Sequence, residues 1–131
     1  MPTVRSVVAA AVLLSAVAGC APAAGKSEAA AAATRFAAAL THKDGGGACA
    51  MLSQAARSSV ETSSREECQR AILDVRSSTG ATEVSLWGDE AQVRIGTDTI
   101  FLDSTTSGWR VRAAGCKPQG NNRPYQCEVT P

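Results

Sequence analysis

Residues 81–113 read ATEVSLWGDEAQVRIGTDTIFLDSTTSGWRVRA, and this stretch decides the fold class. Apolar and polar residues alternate along it with a period of two, which is the period of side chains on the two faces of a β-strand. Turn signals that contain glycine interrupt the alternation at regular intervals. The pattern therefore predicts short strands joined by tight turns into an antiparallel meander.

Four strands are expected in the meander, over residues 81–87, 91–95, 99–103 and 109–113. In the third of them, Ile100 and Leu102 share one face and Phe101 lies on the other, because side chains alternate between the faces of a strand. A polar loop follows the meander, and Tyr125–Val129 is a possible short fifth strand. The C-terminal half is therefore predicted to form a four- to five-stranded antiparallel sheet.

The residues before the meander have helical patterns. Glu28–His42 is rich in alanine and places Phe36 and Leu40 one turn apart, which favours a helix that the glycines at 45–47 would end. We expect a short second helix over Ala48–Leu52, followed by a polar link over residues 53–62.

A third helix is predicted after this link. Residues 63–67 (SSREE) form a doubled capping-box pattern, in which each serine is followed three residues later by a glutamate. An apolar stripe with helical spacing follows at Cys68, Ala71, Ile72 and Val75. We therefore expect a capped helix whose stripe, including the sulfur of Cys68, faces the interior.

The N-terminal segment has the layout of an export signal. Arg5 is followed by an uncharged, mostly apolar run from Ser6 to Gly19 that is too short to span a bilayer as a helix. The run ends in Val17-Ala18-Gly19-Cys20, which resembles the lipobox of bacterial lipoproteins. The alternative is an ordinary secreted protein that is cut after Ala16-Val17-Ala18.

The lipobox resemblance implies cleavage between Gly19 and Cys20 and attachment of a diacylglycerol to the Cys20 thiol. Two acyl chains on one residue are enough for stable anchoring, so we expect the exported protein to be held by lipid on the outer face of the cytoplasmic membrane. This interpretation divides the chain into a signal peptide (1–19), a lipidated cysteine with a short tether (20–27) and one domain (28–131).

Charge and composition narrow the function. The 131-residue chain has a net charge of +1, and cleavage before Cys20 removes one of thirteen basic residues, leaving twelve against twelve acidic ones. A neutral chain has no general electrostatic attraction to nucleic acid, so no nucleic-acid partner is expected.

The abundance of alanine, and of arginine over lysine, is typical of a GC-rich genome such as that of an actinomycete.

The core is expected to be thin. Hydrophobic residues make up 44% of the chain and aromatics only 4%. Without residues 1–19, only 20 large apolar side chains remain. Small domains with so little core commonly rely on disulfides.

Cysteine spacing supplies candidates for those disulfides. Cys49 and Cys68 lie in the helical half and Cys116 and Cys127 in the strand half. Four cysteines allow three connectivities, of which we predict Cys49–Cys68 and Cys116–Cys127. A zinc site is disfavoured because the chain has no C-x₂-C pair.

The order of elements resembles the cystatin-like α+β roll, and the chain is similar to small actinobacterial lipoproteins whose domain is related to nuclear transport factor 2. The resemblance covers residues 28–131. It rests on four segments: Thr34-Arg35-Phe36, Cys49-Ala50-Met51-Leu52, Cys68, and the ending from Gly108-Trp109 through Cys116 to Cys127-Glu128-Val129. It implies three N-terminal helices packed on a curved sheet of four to five antiparallel strands. Relatives of this kind include isomerases, dehydratases, epoxide hydrolases and plain binding modules.

Catalytic groups are scarce in the sequence. The single histidine, His42, is expected at a helix end on the surface, and the single tyrosine, Tyr125, in the C-terminal tail. Asp74 is expected to be solvated and paired with a neighbouring arginine, and Asp89, Asp98 and Asp103 are expected to be turn or strand-end residues. No cofactor and no metal site are expected.

Four residues are candidates for lining a ligand pocket: Trp87, Phe101, Asp103 and Trp109. For Trp87 and Trp109 we favour the alternative that they fill a core with few large side chains. Arg94, Arg110 and Arg112 are expected on the strand face opposite the core, either as a basic patch for an anionic partner or, as we favour, as a solvated face balanced by Glu83 and Glu128. The leading hypothesis is a non-catalytic, lipid-anchored envelope protein that binds another envelope protein or a small apolar ligand. The alternative is a small pocket enzyme of the isomerase or dehydratase kind, and a third possibility is a purely structural docking module.

Overall fold

The computed structural model describes residues 22–80 and 82–131, so the expected signal peptide and Cys20 lie outside the described residues. The helices are α1 (Pro22–Thr41), α2 (Gly45–Ala50), α3 (Gln54–Ser64) and α4 (Cys68–Ala71), with a 3₁₀ turn over Ile72–Asp74. The strands are β1 (Thr82–Trp87), β2 (Glu90–Ile95), β3 (Asp98–Thr105) and β4 (Gly108–Cys116). No helix in this part of the chain is long and apolar enough to cross a membrane.

The predicted meander is confirmed. The four strands form one antiparallel sheet in the order β1-β2-β3-β4. Two-residue turns at 88–89 and 96–97 each begin with a glycine at positive φ, Gly88 at 57° and Gly96 at 56°. This is the geometry of hairpin turns that match the natural twist of the strands. The fold class is therefore α+β.

The two faces of the sheet differ as the alternation predicts. The inner face carries the buried side chains Ala91, Val93, Ile95, Ile100, Leu102, Val111 and Ala114. The register between β3 and β4 shifts near Phe101, which pairs with Ala113, while Leu102 pairs with Val111. Because the shift inserts Arg112 as an extra residue, Ala113 shares the outer face with Phe101. Strict alternation from Val111 would place Ala113 inward, but the register shift places Ala114 in the core instead.

Helix α1 lies on the inner face and contacts all four strands. Its buried side is made of four alanines and two larger residues, namely Ala29, Ala32, Ala33, Phe36, Ala37 and Leu40. Small side chains let the helix approach the sheet closely, which is how a chain with few large residues still closes a core. The helix begins at Pro22 rather than Glu28, so residues 22–27 are helical and do not form the expected tether. Proline is favoured in the first turn of a helix, which explains the early start.

The glycines at 45–47 start a helix instead of ending one. Helix α1 ends through Lys43, which takes the left-handed conformation with φ of 59°. The Asp44 side chain then accepts a hydrogen bond from Gly47 N at 2.9 Å and caps α2. Gly45 is buried against the Gln69 carbonyl, where a Cβ atom would overlap the oxygen. Close packing therefore selects glycine in this helix.

The expected third helix is divided and displaced. The supposed link contains α3, which Ser53 caps by accepting a hydrogen bond from Ala56 N at 3.2 Å. The capping-box serines fall at the end of α3, and Arg65 ends that helix at a φ of 60°. Cys68 then begins the single turn of α4, whose N-terminal Glu67 makes no side-chain cap. The apolar stripe still faces the core, because Cys68, Ala71 and Ile72 are buried.

Both predicted disulfides are present, Cys49–Cys68 and Cys116–Cys127. The first joins α2 to α4, and the second joins the end of β4 to the C-terminal tail. The expected fifth strand is reduced to two isolated bridges from the tail, Ala114 to Val129 and Lys117 to Gln126. Together with Met51 and Ser53, which exchange backbone hydrogen bonds with Val111, the tail covers the edge of β4.

Candidate functional site

The four candidate pocket residues do not come together. Trp87 lies at the end of β1, and 57% of its surface is exposed. Phe101 is on the outer face, where its ring meets Tyr125 edge to face with the centroids 5.2 Å apart. Asp103 is also on the outer face, whereas Trp109 packs against the edge of the core. The structure therefore does not bring these four candidates into one pocket, and Trp109 packs against the core, as favoured for it, whereas Trp87 does not.

The space between α1 and the sheet is nearly full. A residual cavity beside Phe36, Leu40, Ile95 and Ile100 measures about 10 Å³. This is about the space of one water molecule and far below that of a ligand site. Hollows of about 300 to 410 Å³ lie elsewhere on the domain, and none of them is lined by any of the four candidate residues.

The arginines of the outer face do not form an unpaired basic patch. Arg94 Nη1 lies 3.1 Å from Glu83 Oε2. Arg112 Nη1 lies 2.9 Å from Glu90 Oε1, and its Nε lies 3.5 Å from Asp103 Oδ1. The prediction that Glu83 balances this face is confirmed, whereas the same prediction for Glu128 is wrong. Glu128 instead pairs with Arg76, and the two side-chain atoms are 2.6 Å apart.

Unlike Arg94 and Arg112, which pair with carboxylates, Arg110 contacts a backbone carbonyl of helix α2. Its Nη1 donates a 2.6 Å hydrogen bond to the Ala50 carbonyl at the end of α2. This contact ties the start of β4 to the helical layer. Arg110 therefore has a structural partner.

Asp98 is an acidic residue whose burial the sequence did not indicate. It begins β3 but is only 5% exposed, and it pairs with Lys117 just after the Cys116 disulfide. Burial by itself would raise the pKa of Asp98, but hydrogen bonds from Lys117 and Ser78 outweigh it and hold the pKa below its ordinary value. Lys117 Nζ also donates to the Thr97 carbonyl at 3.0 Å. These contacts clamp the β2–β3 turn to the end of β4.

The other titratable candidates occupy exposed or ordinary positions. His42 is exposed after the end of α1, as predicted. The Tyr125 hydroxyl accepts a hydrogen bond from Gln92 at 3.4 Å. Asp74 is exposed and shares a hollow with Glu128, which Arg76 already pairs. Neither carboxylate has the dry, apolar surroundings that tune an acid for catalysis at neutral pH.

Metal-ligating side chains are also dispersed. Across residues 22–80 and 82–131 no group of three histidine, cysteine, aspartate or glutamate side chains could hold a metal ion.

One end of the sheet combines an exposed tryptophan, an uncharged turn and two acidic residues, Asp89 and Glu90. We call it the Trp87 end and define it as residues 87–90, residues 104–108 and the start of α1 around Gly25. The Ser104 N–H donates to the Asp89 carbonyl at 2.7 Å, which holds the two turns together. Gly25 lies against Leu86, where a Cβ atom would meet Leu86 Cδ1 at 3.3 Å. Helix α1 therefore starts at the same end of the sheet as Trp87.

Comparisons with models of protein families, with curated proteins and with solved structures found no match.

Proposed function

We propose that this chain is a lipid-anchored protein of the cell envelope with a non-catalytic, interaction-type domain. A diacylglycerol on Cys20 would hold it on the outer face of the cytoplasmic membrane, where the domain binds another envelope protein through its surface. We retain the cystatin-like roll as the proposed fold family, because one long helix lies on the inner face of an antiparallel meander.

The observation that carries this proposal is the place of Cys20 relative to the fold. The other four cysteines pair with one another, so neither disulfide uses Cys20. Cys20 precedes the first residue of α1, Pro22, by two positions, so a lipid on it would be close to the described domain. Two disulfides in one small domain also favour an exported protein, because they persist in oxidising compartments.

Surface interaction is favoured over a small apolar ligand because α1 occupies the inner face of the sheet. The residual cavity of about 10 Å³ is too small for such a ligand. A partner protein requires only accessible surface, which the outer sheet face provides. Because α1 fills the space over the inner face of the sheet, the alternative of an isomerase or dehydratase is also disfavoured, since such an enzyme needs converging polar groups inside a cavity.

Metabolic labelling with an alkyne fatty acid tests the anchor. The wild-type protein should take up the label and sediment with membranes, whereas Cys20→Ala should remain unlabelled and leave the membrane fraction. Equal labelling of both proteins, or no labelling of either, would contradict the anchor.

Site-specific photo-crosslinking in the native membrane tests the interaction. A photoreactive residue replaces Arg94 on the outer sheet face or, as the matched control, Gln69 on the helical side, both of which are exposed. A specific partner should give a discrete adduct from one position and not from the other. Absence of an adduct at both positions, together with a co-purifying apolar small molecule, would move the function to ligand binding.

A further inference from the structure

We propose that the Trp87 end rests in the membrane interface, so that the anchored domain has one fixed orientation on the bilayer. The indole of Trp87 would lie at the level of the lipid headgroups, beside the uncharged turn of residues 104–108. This inference rests on the proposed lipidation of Cys20.

Chain length brings the Trp87 end close to the lipid. Only Ala21 separates Cys20 from Pro22, the first residue of α1. Two residue steps span at most about 7 Å. The helix adds about 4.5 Å between Pro22 and Gly25, at a rise of about 1.5 Å per residue. Gly25 packs against Leu86, next to Trp87. Gly25 therefore lies within roughly 12 Å of the lipid-bearing residue, and the sheet end that contains Leu86 and Trp87 is packed against it.

That reach is roughly one and a half to two times the thickness of the interface. The polar headgroup region adds about 5 to 8 Å on each side of the hydrocarbon core. Because residues 22–27 are helical, they do not supply the flexible spacer that would let the domain rise away from the surface. A diacylated Cys20 therefore keeps the start of α1, and the sheet end packed against it, close to the membrane surface.

The chemistry of this end suits that location. Trp87 is the exposed large hydrophobic residue of the described domain, and tryptophan is enriched at membrane–water interfaces because its ring is apolar with one polar N–H. Residues 104–108 (STTSG) are all exposed and carry no charge. Trp109 lies directly after them and packs at the edge of the core.

Charges at the Trp87 end are largely balanced, so no anionic lipid is required. Arg112 lies between Glu90 and Asp103. Lys26 of α1 and Asp89 of the first turn have opposite signs. We therefore expect the same seating on zwitterionic and on mildly anionic membranes.

The test uses tryptophan fluorescence of the lipidated protein in phosphatidylcholine vesicles, with quenching by lipids brominated on their acyl chains. Trp109→Phe leaves Trp87 as the single tryptophan. The matched control moves the probe to the opposite end of the sheet, with Trp87→Phe, Trp109→Phe and Pro118→Trp combined. Pro118 is exposed and lines a hollow with Thr97 at that end.

We expect brominated lipid to quench Trp87 at least twofold more than the probe at position 118, and equally with or without about one-third phosphatidylglycerol. Equal quenching of the two probes, or a requirement for the anionic lipid, would overturn the proposal. Hydrogen exchange on wild-type protein provides a measurement that needs no variant. Amides of residues 87–90 and 104–108 should exchange more slowly on vesicles than in detergent, and unchanged rates would count against the seating.

Failure of the anchor can be separated from failure of the seating. Intact mass of the reconstituted protein shows whether Cys20 is acylated. If it is not, the mature chain can be coupled through the Cys20 thiol to a maleimide phospholipid, because the other four cysteines are in disulfides. Preferential quenching of Trp87 in that form supports the seating, and its absence overturns it, whatever the outcome for natural lipidation.

Discussion

Removing the Cys49–Cys68 disulfide is expected to lower the free energy of unfolding by about 3.3 kcal/mol. The bond joins residues 19 apart, so it closes a loop of about 20 residues, and loop-closure entropy gives this value at 25 °C. The Cys116–Cys127 bond, with a separation of 11, should contribute about 2.8 kcal/mol by the same relation. These contributions are large beside the total stability of about 5 to 15 kcal/mol that is typical of small domains.

The assay is urea and thermal unfolding followed by circular dichroism. A variant with Cys116→Ala and Cys127→Ala keeps only the α2–α4 disulfide, and its oxidised and reduced forms are compared. Reduction leaves both buried sulfurs in place, so the difference reports the covalent link without a change of side-chain volume. We expect a fall in melting temperature of about 10 to 15 °C. The m-value should rise, because the reduced unfolded chain is less compact.

Ser58→Ala is the matched control for general surface effects, since Ser58 is exposed on α3, and it should change stability by less than about 0.5 kcal/mol. A difference below about 1 kcal/mol between the oxidised and reduced forms would refute the view that disulfides compensate for the thin core.

Three further changes test the packing and the Asp98 clamp by urea unfolding. Phe36→Ala removes a fully buried ring between α1 and the sheet and should lower the free energy of unfolding by about 3 to 5 kcal/mol. A loss below about 1 kcal/mol would contradict a filled interior. Gly45→Ala should cost more than about 1 kcal/mol, because its Cβ overlaps the Gln69 carbonyl; Gly46→Ala, which has more space, is the control. Because the pKa of Asp98 is lowered by folding, its contribution is complete well above pH 3.8 and is lost as the pH falls below that value. Asp98→Asn should therefore lose less stability than wild type between pH 7 and pH 3, and identical losses would refute the clamp.

Features with a local cause were predictable from sequence. The meander could be predicted because each strand shows its own alternation and each turn has its own glycine, as at Gly88 and Gly96. The disulfide pairing followed from which half of the fold each cysteine occupies. The lack of a shared pocket was not predictable, because Trp87 and Trp109 both suit a strand and only three-dimensional packing decides which of them meets the core.

Features with a non-local cause were missed. Position 45 requires glycine because the Gln69 carbonyl lies where a side chain would be, and nothing near Gly45 in sequence indicates that contact. Asp98 resembles an ordinary turn residue until Lys117, 19 residues later, is brought to it by the fold. The inward turn of Ala114 depends on the register shift beside Phe101. Each of these required knowledge of which distant segments meet.

Intact-mass analysis of the protein extracted from its native membranes tests most directly the proposal that a lipid on Cys20 fixes the domain at the membrane surface. We expect a chain that starts at Cys20, with the added mass of a diacylglyceryl group on that residue and both disulfides intact. A chain that starts at another residue, or a Cys20 without acyl mass, would contradict it.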